Sequence, residues 1–258
     1  KEALLAKITT AIFKLPLAER NLTNIAQYFA KSKYEKLFNL WHGKGKLARF
    51  FNHTHDGFDH SKQIYGFDFT EISSLKTIMI PMLHYILHKI ENSLDGTKTI
   101  IVLDEAWRLL DNPFFAPKLE NWLQKMQKKN VVVIMASESI EDVKKSNISK
   151  LISQNIATKI FLPNEKPGSF YKDIFKLNKA EFRLLKSINR AEHYFLLKHG
   201  EESVVVELDL AQLGEIVAIL SSNDESIEIM EKTIARVGKD PQQWVPLFIE
   251  VVKDLLED

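Results

Sequence analysis

The chain has 258 residues, with 35 lysines and arginines against 34 aspartates and glutamates, and 45% of its residues are hydrophobic. This composition fits one large or two small globular domains and excludes a disordered chain. The absence of cysteine excludes a disulfide scaffold, a thiolate zinc site and a cysteine nucleophile. A formal net charge of +1 provides no bulk attraction for nucleic acid, so contact with DNA would need a local basic patch.

The first sixty residues are predicted to form a helical subdomain. Apolar residues recur at helical spacing over residues 2–15, and two further helices are expected within residues 22–43. A run rich in β-forming residues then spans residues 64–70, and a long amphipathic helix follows at about 74–93. The most apolar stretch, residues 75–90, is interrupted by polar residues and a proline, which excludes a membrane span there.

The middle of the chain alternates between strands and helices. Continuous apolar runs at residues 99–103, 131–136 and 158–162 predict three strands, and the first is expected to be buried on both faces of a parallel sheet. Helices are predicted between these strands at residues 117–129 and 140–155. This order of elements is typical of a doubly wound α/β fold with a parallel sheet.

A hairpin and a helical C-terminus complete the predicted elements. Two β-rich runs at residues 192–198 and 203–208 flank a turn that contains glycine, and they predict a hairpin at the edge of the sheet. The remaining residues are predicted to be helical. We therefore expect a helical subdomain at 1–60, an α/β core at 61–220 and C-terminal helices at 221–258.

A carboxylate pair at the end of the first predicted strand carries the strongest chemical signal. Asp104 and Glu105 directly follow the apolar residues 100–103, which matches a Walker B arrangement. In such a site the first carboxylate holds Mg²⁺ and the second activates the attacking water. We interpret Asp104 as the metal ligand and Glu105 as the general base. The alternative is a strand that ends in a solvated acidic turn.

Ser137 and Glu138 follow the second predicted strand, which is expected to neighbour the first. Polar side chains at this edge of the sheet would face the terminal phosphate of a bound nucleotide. Ser137 is therefore a candidate for cofactor binding and Glu138 a candidate for catalysis. The same residues fit equally well as the N-cap and acidic first turn of the next helix.

The sequence contains no phosphate-binding loop of the form GxxxxGK[ST]. The Gly-Lys-Gly-Lys segment at residues 43–46 lacks the first glycine at the required distance, the following Ser or Thr and a buried strand before it. We interpret this segment as a turn that ends a helix. If the chain is a nucleotide enzyme, its phosphate loop is expected upstream of Lys1, and the chain alone is expected to be inactive.

Six segments together resemble the ATPase of bacterial type IV secretion and conjugation systems, of the VirB/TrbE/CagE type. They are LDEAWRLLDNPFFA at 103–116, NWLQKMQKKN at 121–130, VIMASES at 133–139, ATKIFLPN at 157–164, FLLKHG at 195–200 and KDPQQWVP at 239–246. The resemblance implies the C-terminal part of a RecA-like P-loop NTPase with ATP and Mg²⁺ as cofactors. It also implies a hexameric ring, other secretion components as partners, and a position on the cytoplasmic face of the inner membrane through those partners.

The resemblance also assigns individual residues. Asp104 and Glu105 match the Walker B pair of the family, and Glu138 stands where the family usually has Gln. A carboxylate about 4 Å from a phosphate oxygen is unfavourable by around 4 kcal/mol at an effective dielectric constant near 20, unless it is protonated or paired. Slow turnover is therefore expected unless Lys144 or Lys145 compensates.

A ring ATPase usually needs an arginine supplied by the neighbouring subunit. Arg183 and Arg190 are the candidates for this role, and the alternative is that each is an ordinary surface residue. Two rival functions also stay open, namely a non-enzymatic docking module of the same apparatus and a DNA-pumping translocase. The near-zero net charge does not support the translocase. A histidine- and aspartate-rich segment at residues 53–60 imitates a metal site, but we interpret it as a solvated loop.

Overall fold

The computed structural model of the chain describes residues 2–59, 61–105, 116–137, 155–164, 167–189, 193–220 and 223–256. The described residues form a mixed α/β structure with one parallel and one antiparallel sheet. The chain divides into two compact units, Lys1–Ile100 with Met126–Val132 and Ile101–Lys125 with Val133–Asp258. The boundaries expected after residues 60 and 220 stay a prediction. The helix predicted at 140–155 lies, apart from Asn155, outside the described residues.

The first unit begins with helices, as predicted. Helix α1 (Glu2–Phe13) confirms the prediction for residues 2–15. Residues 22–43 form short helices and turns rather than two full helices, and the α-helices of this region are α2 (Leu22–Ile25), α3 (Glu35–Phe38) and, further on, α4 (Ala48–Phe51). Stacked rings of Phe29 and Phe38, with centroids 4.0 Å apart, hold these short elements together.

The β-rich run at residues 64–70 is not a strand, so that prediction is wrong. Residues 64–69 have no regular structure, and the Ile64 side chain is 90% exposed. Local β-propensity is insufficient here because these residues pair with no other strand among the described residues. Helix α5 (Lys76–Ser93) then confirms the predicted amphipathic helix, and it buries Ile78 and Leu83 among other apolar residues.

The parallel sheet consists of β1 (Thr99–Asp104) and β2 (Val131–Ala136), and helix α6 (Ala116–Lys128) lies between them in sequence. Both strands and the helix confirm the sequence prediction. The Thr99 N–H donates to the Asn130 carbonyl oxygen at 3.3 Å, which sets Thr99 opposite Val131. Because each strand has six residues, this register sets Asp104 opposite Ala136.

The expectation that the first strand is buried on both faces is wrong. Ile101 is 8% exposed, whereas its neighbours Ile100 and Val102 are 67% and 62% exposed. The same alternation continues on β2, where Val131 is buried and Val132 and Ile134 are exposed. Alternate side chains of a strand point to opposite faces, so the described part of the chain covers only one face of this sheet.

The antiparallel sheet has the strand order β3 (Thr158–Phe161), β4 (Tyr194–His199) and β5 (Glu202–Glu207). Strands β4 and β5 confirm the predicted hairpin, and Gly200 in its two-residue turn has φ +57°. The third predicted strand exists as β3, but it pairs antiparallel with β4 instead of lying in the sheet of β1 and β2. Apolar patterning identifies a strand without encoding the direction of its neighbour.

Helices α7 (Phe170–Phe175) and α8 (Lys179–Ser187) precede the hairpin. The C-terminal residues form α9 (Gly214–Leu220), α10 (Asp224–Val237) and α11 (Pro241–Leu256), as predicted. Ala218, Phe248 and Val252 form the buried centre of this helical group. In the part of the chain that the structure describes, no helix is long and apolar enough to span a membrane.

Candidate functional site

Asp104 and Glu105 lie at the carboxyl end of β1, where the sequence predicts the reactive carboxylates. The Asp104 side chain is exposed, and its Oδ1 accepts a hydrogen bond from the Glu105 N–H at 3.0 Å. Glu105 has φ +49°, a left-handed conformation that is uncommon for a residue with a side chain. This backbone turns the chain sharply out of the strand, so the two adjacent carboxylates do not follow the regular alternation of a strand.

Ser137 directly follows β2 and is exposed. The register of the two strands sets Asp104, the last residue of β1, opposite Ala136, the last residue of β2. The structure therefore brings three of the predicted site residues, Asp104, Glu105 and Ser137, to the same end of the parallel sheet. Glu138 and its two candidate partners, Lys144 and Lys145, lie outside the described residues.

Arg183 lies on helix α8, and its side chain is exposed. Its Nε donates to the Lys179 carbonyl oxygen at 3.2 Å, one turn earlier on the same helix. The other arginine candidate, Arg190, is outside the described residues.

A buried ion pair between Lys198 on β4 and Glu181 on α8 was not anticipated from the sequence. The Lys198 Nζ lies 2.9 Å from the Glu181 Oε1, and the side chains are 3% and 2% exposed. Burial raises the pKa of Glu181, but hydrogen bonds from Lys198, the Asn178 N–H and Ser203 outweigh it, so the pKa lies below its usual range. The spacing of Asn178 and Glu181 is a capping-box signature that was readable from the sequence.

The polar segment at residues 53–60 is attached to helix α5 through Asp56. The Asp56 carboxylate accepts hydrogen bonds from the Tyr85 hydroxyl and from the Lys89 Nζ, the latter at 2.8 Å. The hydrogen bond from Lys89, followed by those from Tyr85 and the Phe58 N–H, lowers the pKa of Asp56 to about 2. Within the described ranges, no group of three or more histidine, aspartate or glutamate residues has the arrangement of a metal site.

The Gly-Lys-Gly-Lys segment at residues 43–46 forms a turn, as predicted, but it does not end a helix, because helix α3 already ends at Phe38. Gly43 has φ +56°, and the Gly45 N–H donates to the His42 carbonyl oxygen at 2.9 Å. A Cβ on Gly45 would lie 2.3 Å from the Asn39 carbonyl oxygen, so a close approach of two backbone segments requires glycine there.

Comparison with known proteins gives the family of the chain. No family model matches it. Type IV secretion system protein virB4 of Bartonella henselae is 32% identical over 251 residues, which covers 95% of this chain and 32% of that protein. Type IV secretion system protein virB4 of Brucella suis is 33% identical over 187 residues, which covers 72% of this chain and 22% of that protein. Type IV secretion system protein PtlC of Bordetella pertussis is 27% identical over 262 residues, which covers 96% of this chain and 32% of that protein.

These relatives are all type IV secretion system proteins. Over most of its length the chain belongs to the VirB4 family. The chain spans 32% of the length of the first curated relatives it matches.

Proposed function

We propose that this chain is the part of an ATP-hydrolysing motor that carries the metal and water chemistry, working in a type IV secretion apparatus. The observation that carries the proposal is the position of Asp104 and Glu105 at the carboxyl end of a parallel strand in a VirB4-family chain. The fold proposed is a RecA-like P-loop NTPase with a doubly wound parallel sheet, of which β1 and β2 are two strands. Adjacent carboxylates at this edge match the Walker B chemistry.

The residues at the end of β1 fit a magnesium ion. Mg²⁺ in nucleotide sites is usually held by one or two carboxylates, with substrate phosphates and waters as the other ligands. The Asp104 carboxylate is exposed at this edge, and the Glu105 N–H orients it through Oδ1. Asp104 would therefore hold the ion. When bound, Mg²⁺ neutralises negative charge on the phosphates and favours attack at the terminal phosphorus.

Glu105 acts as the general base in this proposal. Its carboxylate removes a proton from the attacking water as the new bond from oxygen to the terminal phosphorus forms. The bond from that phosphorus to the bridging oxygen breaks, so that ADP and phosphate result. Ser137, which directly follows β2, would donate a hydrogen bond to the terminal phosphate in this proposal.

The remaining assignments of the proposal follow the family. Glu138 stands where the family usually has Gln, and an ionised, unpaired Glu138 would slow turnover by repelling the terminal phosphate. Arg183 or Arg190 would reach a neighbouring subunit of a hexameric ring. The ring would work with other secretion components at the cytoplasmic face of the inner membrane. A docking module without activity is the second candidate, because Glu138 departs from the Gln that the family usually has at this position.

Steady-state ATP hydrolysis by the full-length protein tests the proposal. Glu105→Gln should leave nucleotide binding nearly unchanged and lower kcat by about 10² to 10⁴, the usual contribution of a positioned general base. The matched control is Glu71→Gln, because Glu71 is an exposed glutamate in a separate 3₁₀ turn. Unchanged kcat in Glu105→Gln would exclude Glu105 as the base, and a full-length protein without any hydrolysis would favour the docking module.

A further inference from the structure

The turn between α6 and β2 makes side-chain contacts that the proposed chemistry does not use. Asn130 has φ +62°, and its Nδ2 donates to the Gly96 carbonyl oxygen at 3.1 Å in the loop before β1. The adjacent Lys129 Nζ donates to the Glu91 carbonyl oxygen at 2.9 Å, in the last turn of α5. Both side chains therefore bond to the segment that leads into the neighbouring strand.

These contacts lie at the start of the parallel sheet. The Asn130 carbonyl oxygen accepts the Thr99 N–H, which is the first hydrogen bond between the strands. Asn130 therefore connects the start of β2 to β1 twice. Its side chain bonds to Gly96, just before β1, and its backbone bonds to Thr99, the first residue of β1. A slip of one residue would move every side chain of β2 to the opposite face of the sheet, so the register must be set somewhere.

We propose that Asn130, supported by Lys129, is a positioning residue that sets the register of β2 against β1 and thereby holds Ser137 beside Asp104 and Glu105. The inference rests on the proposed function, for which those three residues form the site. The two strands have equal length, so a register set at their starts determines which residues meet at their ends. Asn130 would therefore affect the site through β2, from the opposite end of that strand, without a contact of its own to the nucleotide.

The simpler explanation is that Asn130 only ends helix α6. A residue with positive φ commonly follows a helix, and this residue is usually Gly and sometimes Asn. The two explanations differ in what they require of the side chain. An ordinary helix end needs only the left-handed backbone, whereas register setting also needs the amide that bonds to Gly96.

Cysteine cross-linking tests the register without nucleotide, because the chain contains no cysteine of its own. Val102 and Ile134 lie opposite each other on the exposed face, with Cα atoms expected about 4.8 Å apart. The off-register pair Val102 and Val132 would be separated by about 8 Å, beyond the reach of a disulfide. Each pair is replaced by cysteines and joined by oxidation to a direct disulfide.

In the otherwise unchanged chain, the Val102→Cys/Ile134→Cys pair should cross-link and the Val102→Cys/Val132→Cys pair should not. Adding Asn130→Gly keeps the backbone conformation and removes the amide, and it should lower this selectivity by about two- to tenfold, the effect of one hydrogen bond. Lys31→Gly is the matched control, because Lys31 also has a positive φ, +60°, away from the sheet. Full selectivity in Asn130→Gly would overturn the proposal.

Kinetics of the full-length protein separate positioning from a general loss of structure. Asn130→Gly should lower kcat for ATP while KM changes little, because the substrate contacts remain and only their alignment is disturbed. If cross-linking selectivity falls but the full-length protein hydrolyses no ATP at all, the register inference holds and the proposed function fails. If selectivity and kcat both stay unchanged in Asn130→Gly, Asn130 only ends a helix.

Discussion

The Nζ of Lys198 and the Oε1 of Glu181 are 2.9 Å apart, and both side chains are almost completely buried. The second oxygen of Glu181 accepts the Asn178 N–H at 2.7 Å, so the carboxylate joins the first turn of α8 to the central strand of the antiparallel sheet. Lys198→Met should lower the free energy of unfolding by about 3–5 kcal/mol, because it leaves a buried charge without its partner. Chemical denaturation of the chain measures this loss.

The exposed pair of Lys232 and Glu228 on α10 provides the control for that variant. Lys232→Met should hardly change the stability, since exposed ion pairs contribute little. The double variant Glu181→Gln/Lys198→Met should recover most of the stability that Lys198→Met loses. In the double variant no charge is buried, and the Gln oxygen still accepts the Asn178 N–H. A double variant as unstable as Lys198→Met alone would contradict the ion-pair explanation.

The same pair predicts how stability depends on pH. The pKa of Glu181 is lowered in the folded chain, so its contribution is present above the unfolded pKa of about 4.3 and is lost as the pH falls through the folded pKa. In Lys198→Met the sign reverses, because burial without the lysine favours the protonated carboxyl. The free energy of unfolding should be measured for this variant and for the unchanged chain at pH 7 and at pH 4. The difference between the two proteins should be smaller at pH 4. If the free energies of unfolding differ by the same amount at pH 7 and pH 4, Glu181 is not the group that causes the pH dependence.

Tyr85 should titrate at unusually high pH because of Asp56. Burial, followed by the hydrogen bond to Asp56, raises the pKa of Tyr85 to about 12. Asp56→Asn removes the negative charge and should move the Tyr85 titration towards about 10, though burial keeps it above that value. Ultraviolet absorbance of the phenolate measures the change, with Tyr85→Phe subtracted to isolate this tyrosine from the five others. An unchanged titration in Asp56→Asn would mean that burial alone controls the pKa of Tyr85.

The chain on its own should bind Mg-ATP very weakly. Asp104 is the proposed ligand of the metal, but the sequence contains no GxxxxGK[ST] loop whose N–H groups would hold the phosphates. Calorimetric titration should show no saturable binding at micromolar ATP. Micromolar affinity would mean that another part of this chain binds the phosphates.

The elements of the parallel sheet were predictable because their limits are chemically distinct. Gly96 precedes β1 and the carboxylate pair ends it, and Asn130 directly precedes β2, so each apolar run coincides with its strand. The irregular run at 64–70 has the same local propensity but no partner strand in the part of the chain that the structure describes. Propensity is a property of a segment, whereas a strand needs a neighbour.

Of the candidate site, sequence reasoning located the carboxylates but not their supports. Asp104 and Glu105 are adjacent in sequence, so a motif reveals them. Lys129 contacts a carbonyl oxygen 38 residues earlier. Outside the candidate site, Lys198 contacts a carboxylate 17 residues earlier on another element. Contacts between distant segments depend on how elements pack, and no local pattern encodes that.

The left-handed backbone of Glu105 limits how this region can be engineered. A residue with a side chain in this conformation is less stable than glycine by about 1–2 kcal/mol, so stability alone favours glycine at position 105. Glu105→Gly would relieve that strain and remove the proposed base in one step. Selection for heat resistance, or a design procedure that scores only folding, would therefore tend to remove the residue to which the proposed hydrolysis is assigned. Thermostabilised forms intended for functional work should keep this glutamate fixed and gain their stability elsewhere.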